Sequence, residues 1–193
     1  MHKLTRTDLM SLEQYAGARA TMRAEVMTHK VPRRIALTPN ATLYFEDATT
    51  IRYQIQEILR VERIFEADEI QSELDAYNPL IPDGGNWKAT FMFEYPDVAE
   101  RRRALAQMSG IEHHIWVQIG VCQRVKAIAN EDLERSTDEK TSAVHFLRFE
   151  LDSASIAAAK SGAAIRMGID HAGMPCAITL DARSAAALAA DLD

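Results

Sequence analysis

Two segments of the chain alternate between apolar and polar residues, which is the pattern of a β-strand with one buried face. In residues 87–95 the apolar side carries Trp87 and Phe91, and in residues 143–151 it carries Phe149. Further strands are predicted at residues 113–119, 121–128, 164–171 and 176–180, with a hairpin at 34–47. The residues expected in one continuous core are Trp87, Phe91, Phe93, Ile115, Val117, Leu147 and Phe149.

Helices are predicted where apolar residues recur every three or four positions. These segments are residues 7–29, 50–65, 68–77, 97–108, 153–162 and an alanine-rich C-terminal stretch that Asp181 can cap. Helices lead and hairpin-like strands follow, with no regular alternation of strand and helix. The order predicts an α+β fold, a mostly antiparallel sheet with helices packed on one face. A length of 193 residues suits a single domain spanning residues 1–193.

Glu62 interrupts the apolar stripe of the helix predicted at residues 50–65, because it projects from the middle of that stripe. An ionised carboxylate against a core needs a cation, a metal or several hydrogen bonds, or else its pKa rises. We therefore expect Glu62 to be buried beside a partner and to mark a site. A structural ion pair with Arg148 or Arg60 is the alternative.

Three histidines share strand faces with apolar residues: His113, His145 and His171. If the strand ends coincide, these imidazoles and Glu62 would form a site for a transition metal such as iron, manganese or zinc. Each histidine also has a simpler interpretation, as a core residue bonded to a backbone carbonyl or a carboxylate. The spacing matches neither the HExxH nor the ExxH metal motif.

Two further places are candidates for binding a ligand. Arg148 lies on the polar face of its strand near Glu150, where it binds a ligand or forms a cross-strand ion pair. Tyr77 and Asn78 begin the proline-rich segment YNPLIP, a rigid loop that lines a cleft or packs as a turn.

Composition narrows the function classes. The formal net charge of −6 argues against general affinity for nucleic acid or anionic membranes. The start of the chain lacks the features of a signal or transit peptide, and no apolar run approaches the length of a membrane helix, so a cytoplasmic protein is expected. The two cysteines have no CxxC partner, and the phosphate-binding, dinucleotide-binding and GxSxG motifs are missing from the sequence.

Several long segments resemble a bacterial family catalogued as domain of unknown function 3501, and the resemblance covers nearly the whole chain. They are KLTRTDLMSLEQY, IRYQIQEILRVERIF, QSELDAYNPLIP, ERSTDEKTSAVHFLRFEL and the later GIDH. The resemblance supplies no activity or catalytic residues. It implies a setting of iron or peroxide metabolism, since members are often encoded near rubrerythrin-like and iron–sulfur oxidoreductase proteins.

These observations lead to two functional hypotheses. The first is a cytoplasmic accessory protein in redox or iron-linked metabolism that binds a metal or small ligand near Glu62 and the core-facing histidines. The second is a non-catalytic interaction protein, such as a homodimer or a subunit of an electron-transfer assembly, in which the same residues are structural.

Overall fold

The computed structural model describes residues 3–133, 135–137 and 140–193. The helices are α1 (Leu12–Lys30), α2 (Ala48–Glu62), α3 (Ala67–Tyr77), α4 (Val98–Gln107), α5 (Ser153–Lys160) and α6 (Ala182–Ala189). The strands are β1 (Arg34–Thr38), β2 (Ala41–Phe45), β3 (Asn86–Phe93), β4 (Ile115–Ile119), β5 (Val125–Lys126), β6 (Ile128–Ala129), β7 (Val144–Glu150), β8 (Ile165–Ile169) and β9 (Cys176–Thr179). None of these helices is long and apolar enough to cross a membrane.

The strands form two antiparallel sheets, and the predicted α+β class with antiparallel pairing is confirmed. One sheet has the order β1-β2-β3-β7-β6 and the other the order β5-β4-β8-β9. The alternation seen in the sequence gives β3 and β7 one buried face and one half-buried face. All seven residues expected in one core belong to one continuous apolar cluster, which combines residues from both sheets with Ala159 of α5 and Leu188 of α6.

The segment predicted as one strand at residues 121–128 is instead two short strands, and that part of the prediction is wrong. Val125 pairs with β4 in the four-stranded sheet, whereas Ile128 pairs with β7 in the five-stranded sheet. Between them the backbone N–H of Ala127 donates to the carbonyl of Ile115. The chain changes sheets here, so neither short strand can extend along a single neighbour.

Helices α1, α2 and α3 form a layer with apolar clusters of their own. Ser11 caps α1 and Asp47 caps α2, each by accepting a hydrogen bond from a backbone N–H three residues later. The buried members of the two clusters are Leu4, Ile51, Ile55, Leu59, Leu74 and Ile81 in one, and Tyr15, Met22, Val26 and Tyr53 in the other. Since these helices pack mainly on each other, they leave room between their layer and the five-stranded sheet.

A buried ion pair fastens the helical layer to the C-terminal end of the chain. Arg33 follows α1, and its Nη1 and Nη2 lie 2.6 and 2.7 Å from the carboxylate oxygens of Asp191. The same guanidinium lies 3.1 Å from Asp47, the residue that caps α2. Both Arg33 and Asp191 are buried, so each charged group is stabilised by the other instead of by water. The two residues lie 158 positions apart in the sequence.

Candidate functional site

Glu62 is exposed, so its predicted burial is wrong. It is the last residue of α2, because Arg63 adopts a left-handed conformation that ends the helix. Val61 and Phe65, which extended the apolar stripe in the sequence, are 65% and 69% exposed. Burial and the neighbouring carboxylate of Glu62 together raise the pKa of Glu73. The stripe that enters the core therefore ends at Leu59, one turn before Glu62.

The predicted convergence of His145 and His171 with Glu62 is also wrong. His145 lies on β7 in the five-stranded sheet, whereas His171 follows β8 in the other sheet and contacts His114. His113 precedes β4 in a short 3-10 turn, and its side chain is 64% exposed. Among the described residues, no group of three or more His, Cys, Asp or Glu side chains is placed to hold a metal ion.

His145 instead belongs to a buried polar cluster around Glu112. The Oγ1 of Thr141 lies 2.7 Å from Nε2 of His145 and 3.3 Å from Oε2 of Glu112. Asn130 contacts the other ring nitrogen of His145, and Ser136 contacts Thr141. His145 is completely buried, and its hydrogen bonds connect Asn130 and Thr141 to β7.

The charges of this cluster are set by burial and hydrogen bonding. Burial lowers the pKa of His145, which favours the neutral imidazole. Burial raises the pKa of Glu112, but hydrogen bonds from Ser136 and from its own backbone, together with the charges of His145 and His113, lower it more. The net result is a pKa of Glu112 below its ordinary value, so the carboxylate is the group of this cluster that burial leaves charged.

A groove lies on the outer face of the five-stranded sheet, where β3 and β7 run side by side. Its floor consists of three cross-strand pairs, Lys88 with Arg148, Thr90 with Phe146, and Met92 with Val144. All six side chains are half-buried. At about 3.4 Å per residue, the floor is about 14 Å long from Lys88 to Met92.

Two cavities occupy the groove, and Phe146 lines both of them. The larger, about 700 Å³, is walled by Tyr77 and Leu80 from α3 and the turn that follows it. The smaller, about 470 Å³, lies beneath Gln54 of α2. The guanidinium of Arg135 stacks on the ring of Phe146, 4.6 Å from its centroid.

The two cations at one end of the floor have different surroundings. Arg148 binds both carboxylate oxygens of Glu131, each at 2.8 Å, and also contacts Glu150. The ammonium of Lys88 donates to the carbonyl of Pro79, but it forms no ion pair with any residue in the described ranges. Its pKa is lowered by burial and by the nearby positive charge of Arg148, although the carboxylate of Asp83 opposes this. Lys88 is thus a half-buried cation facing a cavity without a carboxylate partner.

The structure brings two of the predicted ligand-binding residues together, since Tyr77 and Arg148 line the larger cavity. Asn78 lies next to it, where its amide exchanges two hydrogen bonds with the backbone of Leu4 and thereby fixes the N-terminal segment. The role of these residues in ligand binding stays a prediction. Sequence reasoning missed Lys88 and Phe146, although both are on the polar side of the alternating strands, where an unexpected aromatic ring was the available signal.

Comparison with known proteins identifies the family but adds no activity. The chain is similar to a crystal structure described as a novel protein of unknown function from Burkholderia pseudomallei K96243, with 51% sequence identity over 100% of both chains and a TM-score of 0.95. The comparison with curated proteins gives no match. The family model described as protein of unknown function (DUF3501) matches residues 3–192. The resemblance inferred from the sequence is confirmed, and the chain belongs to this family.

Proposed function

We propose that this protein binds a small organic molecule in the groove, with an apolar body over Phe146 and an oxygen acceptor, either a carboxylate or a carbonyl group, at Lys88. The observation that carries the proposal is the ammonium of Lys88, which lines a cavity of about 700 Å³ and forms no ion pair with any residue that the structure describes. That volume lies within the range of about 300–1,000 Å³ found for ligand pockets.

The carboxylates around the larger cavity already have partners, which favours an acceptor group on the ligand over a cationic one. Glu131 binds Arg148, and Asp132 binds Arg135. Asp83 accepts a hydrogen bond from the backbone N–H of Gly85 at 3.0 Å. A ligand ammonium would have to compete for these carboxylates, whereas a ligand oxygen would supply the partner that Lys88 lacks.

Phe146 supplies the apolar part of the site. It is one of the few large apolar side chains on the outer face of β7, and its ring belongs to none of the apolar clusters formed by the described residues. Arg135 covers part of this ring and is itself held by Asp132, with Nη2 and Oδ2 2.6 Å apart. A planar group on the ligand would stack on the part that remains open.

The wider role expected from the family resemblance is also part of the proposal. It is an accessory role in redox or iron-linked metabolism, in the cytoplasm, beside a rubrerythrin-like or iron–sulfur oxidoreductase partner. In this proposal the groove provides the place for an organic ligand, and the metal site expected at Glu62 is not part of it. The competing proposal, a non-catalytic homodimer or assembly subunit, would leave the groove without a ligand.

Isothermal titration with a matched pair of probes tests the proposal. 3-Phenylpropanoate has the ring and the acceptor group, whereas 3-phenylpropylamine has the ring and a cation. At about −0.3 kcal/mol per heavy atom, the acid should bind with a Kd of about 4 mM, and the amine much more weakly. Lys88→Met should abolish the preference for the acid.

Lys126→Met is the matched control, because Lys126 is an exposed lysine on β5 in the other sheet. This variant should bind the acid as the unmodified protein does. Equal binding of acid and amine by the unmodified protein, or an unchanged preference in Lys88→Met, would contradict the proposal.

A further inference from the structure

We infer that the amine of Lys88 forms an imine with a carbonyl compound bound in the groove. This inference rests on the proposed function and makes it more specific, since it names an aldehyde or ketone as the ligand class. The inference depends on the position of the Lys88 nitrogen, which lies on the floor of the larger cavity and donates a hydrogen bond to the carbonyl of Pro79. Among the described residues, no carboxylate forms an ion pair with it.

The surroundings of Lys88 make the neutral amine, the form that attacks a carbonyl, more accessible than in an exposed lysine. Burial is the main cause of its lowered pKa and Arg148 lowers it further, while the carboxylates of Asp83, Glu131 and Glu150 oppose the shift. A second ammonium, Lys3, adds to the local positive charge, and its own pKa is lowered by burial and by Lys88. Arg148 is held in place by Glu131, so its charge stays beside Lys88. Lysines made reactive in this way are known to act as nucleophiles toward carbonyl groups.

The bonds and protons of the step balance without any redox partner. The ammonium first loses a proton to water, and the nitrogen lone pair then attacks the carbonyl carbon to give a carbinolamine. In forming it, a second proton moves from the nitrogen to the former carbonyl oxygen. A proton from solvent then lets this hydroxyl depart as water, and the iminium that remains loses its last N–H proton to give the neutral imine. Tyr77 lines the same cavity and offers a phenolic hydroxyl for these proton transfers. The hydrogen bond from the Lys88 nitrogen to the carbonyl of Pro79 can persist until the last N–H proton is lost.

Reductive trapping tests the inference on the full-length protein. Pyruvate and propanal, an anionic and a neutral carbonyl probe, are each incubated with the protein and sodium cyanoborohydride, and the modified lysines are located by peptide mass spectrometry. Lys88 should be alkylated faster than the exposed Lys126 by about threefold or more, with at least one of the probes. In Lys88→Arg this adduct should disappear while labelling of Lys126 is unchanged. Comparison within the unmodified protein keeps the test valid even if the variant folds poorly.

Equal or slower labelling of Lys88 relative to Lys126 with both probes would overturn the inference. Its failure can be distinguished from failure of the proposed function by the titration with 3-phenylpropanoate, which cannot form an imine. Binding of that acid in the absence of a Lys88 adduct would leave a non-covalent ligand groove. Absence of both results would refute the groove as a ligand site.

Discussion

Lys88 and Arg148 are direct cross-strand partners on β3 and β7, yet only Arg148 is neutralised by carboxylates. Two cations side by side on a sheet destabilise one another unless each has a counter-charge. Glu131 and Glu150 bind Arg148 directly, whereas Lys88 forms no ion pair with a described residue and has only the less direct influence of the carboxylates of Asp83, Glu131 and Glu150. This asymmetry is why we place the polar end of a ligand at Lys88.

The two faces of β7 should respond very differently to truncation. Phe149 is completely buried between the sheets, so Phe149→Ala should lower the free energy of unfolding by about 3–5 kcal/mol. Phe146 is half-buried on the groove floor, and Phe146→Ala should cost clearly less while weakening the binding of 3-phenylpropanoate. Urea denaturation measures the first effect and calorimetry the second. A larger loss of stability for Phe146→Ala would show that its face is core rather than groove.

Removing one partner of the buried ion pair between Arg33 and Asp191 should strongly destabilise the protein. Asp191→Ala leaves the buried guanidinium with the more distant Asp47 and the carbonyl of Ala187, so we expect a loss of about 3–5 kcal/mol by denaturation. Arg60→Ala is the control, since its pair with Glu57 is exposed and worth about 0–1 kcal/mol. Similar losses for the two variants would mean that the buried pair does not anchor the C-terminal end.

His145 should make the protein less stable as the pH falls. Burial lowers its pKa below the ordinary value of 6.5, so the unfolded chain takes up a proton more readily than the folded one. The stabilisation is complete above pH 6.5 and is lost below it, at up to about 1.4 kcal/mol per pH unit. Glu112, whose pKa is also lowered, adds a loss of the same sign at more acidic pH.

Denaturation curves at pH 7.5 and 5.5 test this expectation by comparing the unmodified protein with His145→Gln. The variant should lose less stability between the two conditions, because its amide does not titrate. Identical pH dependence in both proteins would show that His145 does not take part in this linkage.

The strand faces could be predicted from the sequence because they depend on local alternation. Phe91, Leu147 and Phe149 are buried on the predicted side, and His145 is enclosed as a core-facing residue should be. Glu112 could not be predicted as a partner of His145, since it reaches the histidine only through the fold. Periodicity indicates which way a side chain points, but not which other element meets it.

The prediction for Glu62 failed for a related reason. The apolar stripe of α2 continues in the sequence past the point where other elements cover it, as the exposure of Val61 and Phe65 shows. The groove could be predicted only in part from the sequence, because it forms where the helices leave the sheet uncovered. Tyr77 and Arg148 were recognised individually, but the cavity that joins them depends on α1, α2 and α3 packing on one another and leaving the sheet face open.

Chemical-shift mapping by nuclear magnetic resonance tests the central claim, that the groove on β3 and β7 binds a small ligand, most directly. Titration of the isotope-labelled protein with 3-phenylpropanoate should shift the signals of Lys88, Thr90, Phe146 and Tyr77 in a saturable way, and leave those of Trp116 and Ile169 in the other sheet unchanged. Saturable shifts centred elsewhere, or no shifts at 20 mM probe, about five times the Kd expected for a ligand of this size, would contradict the account.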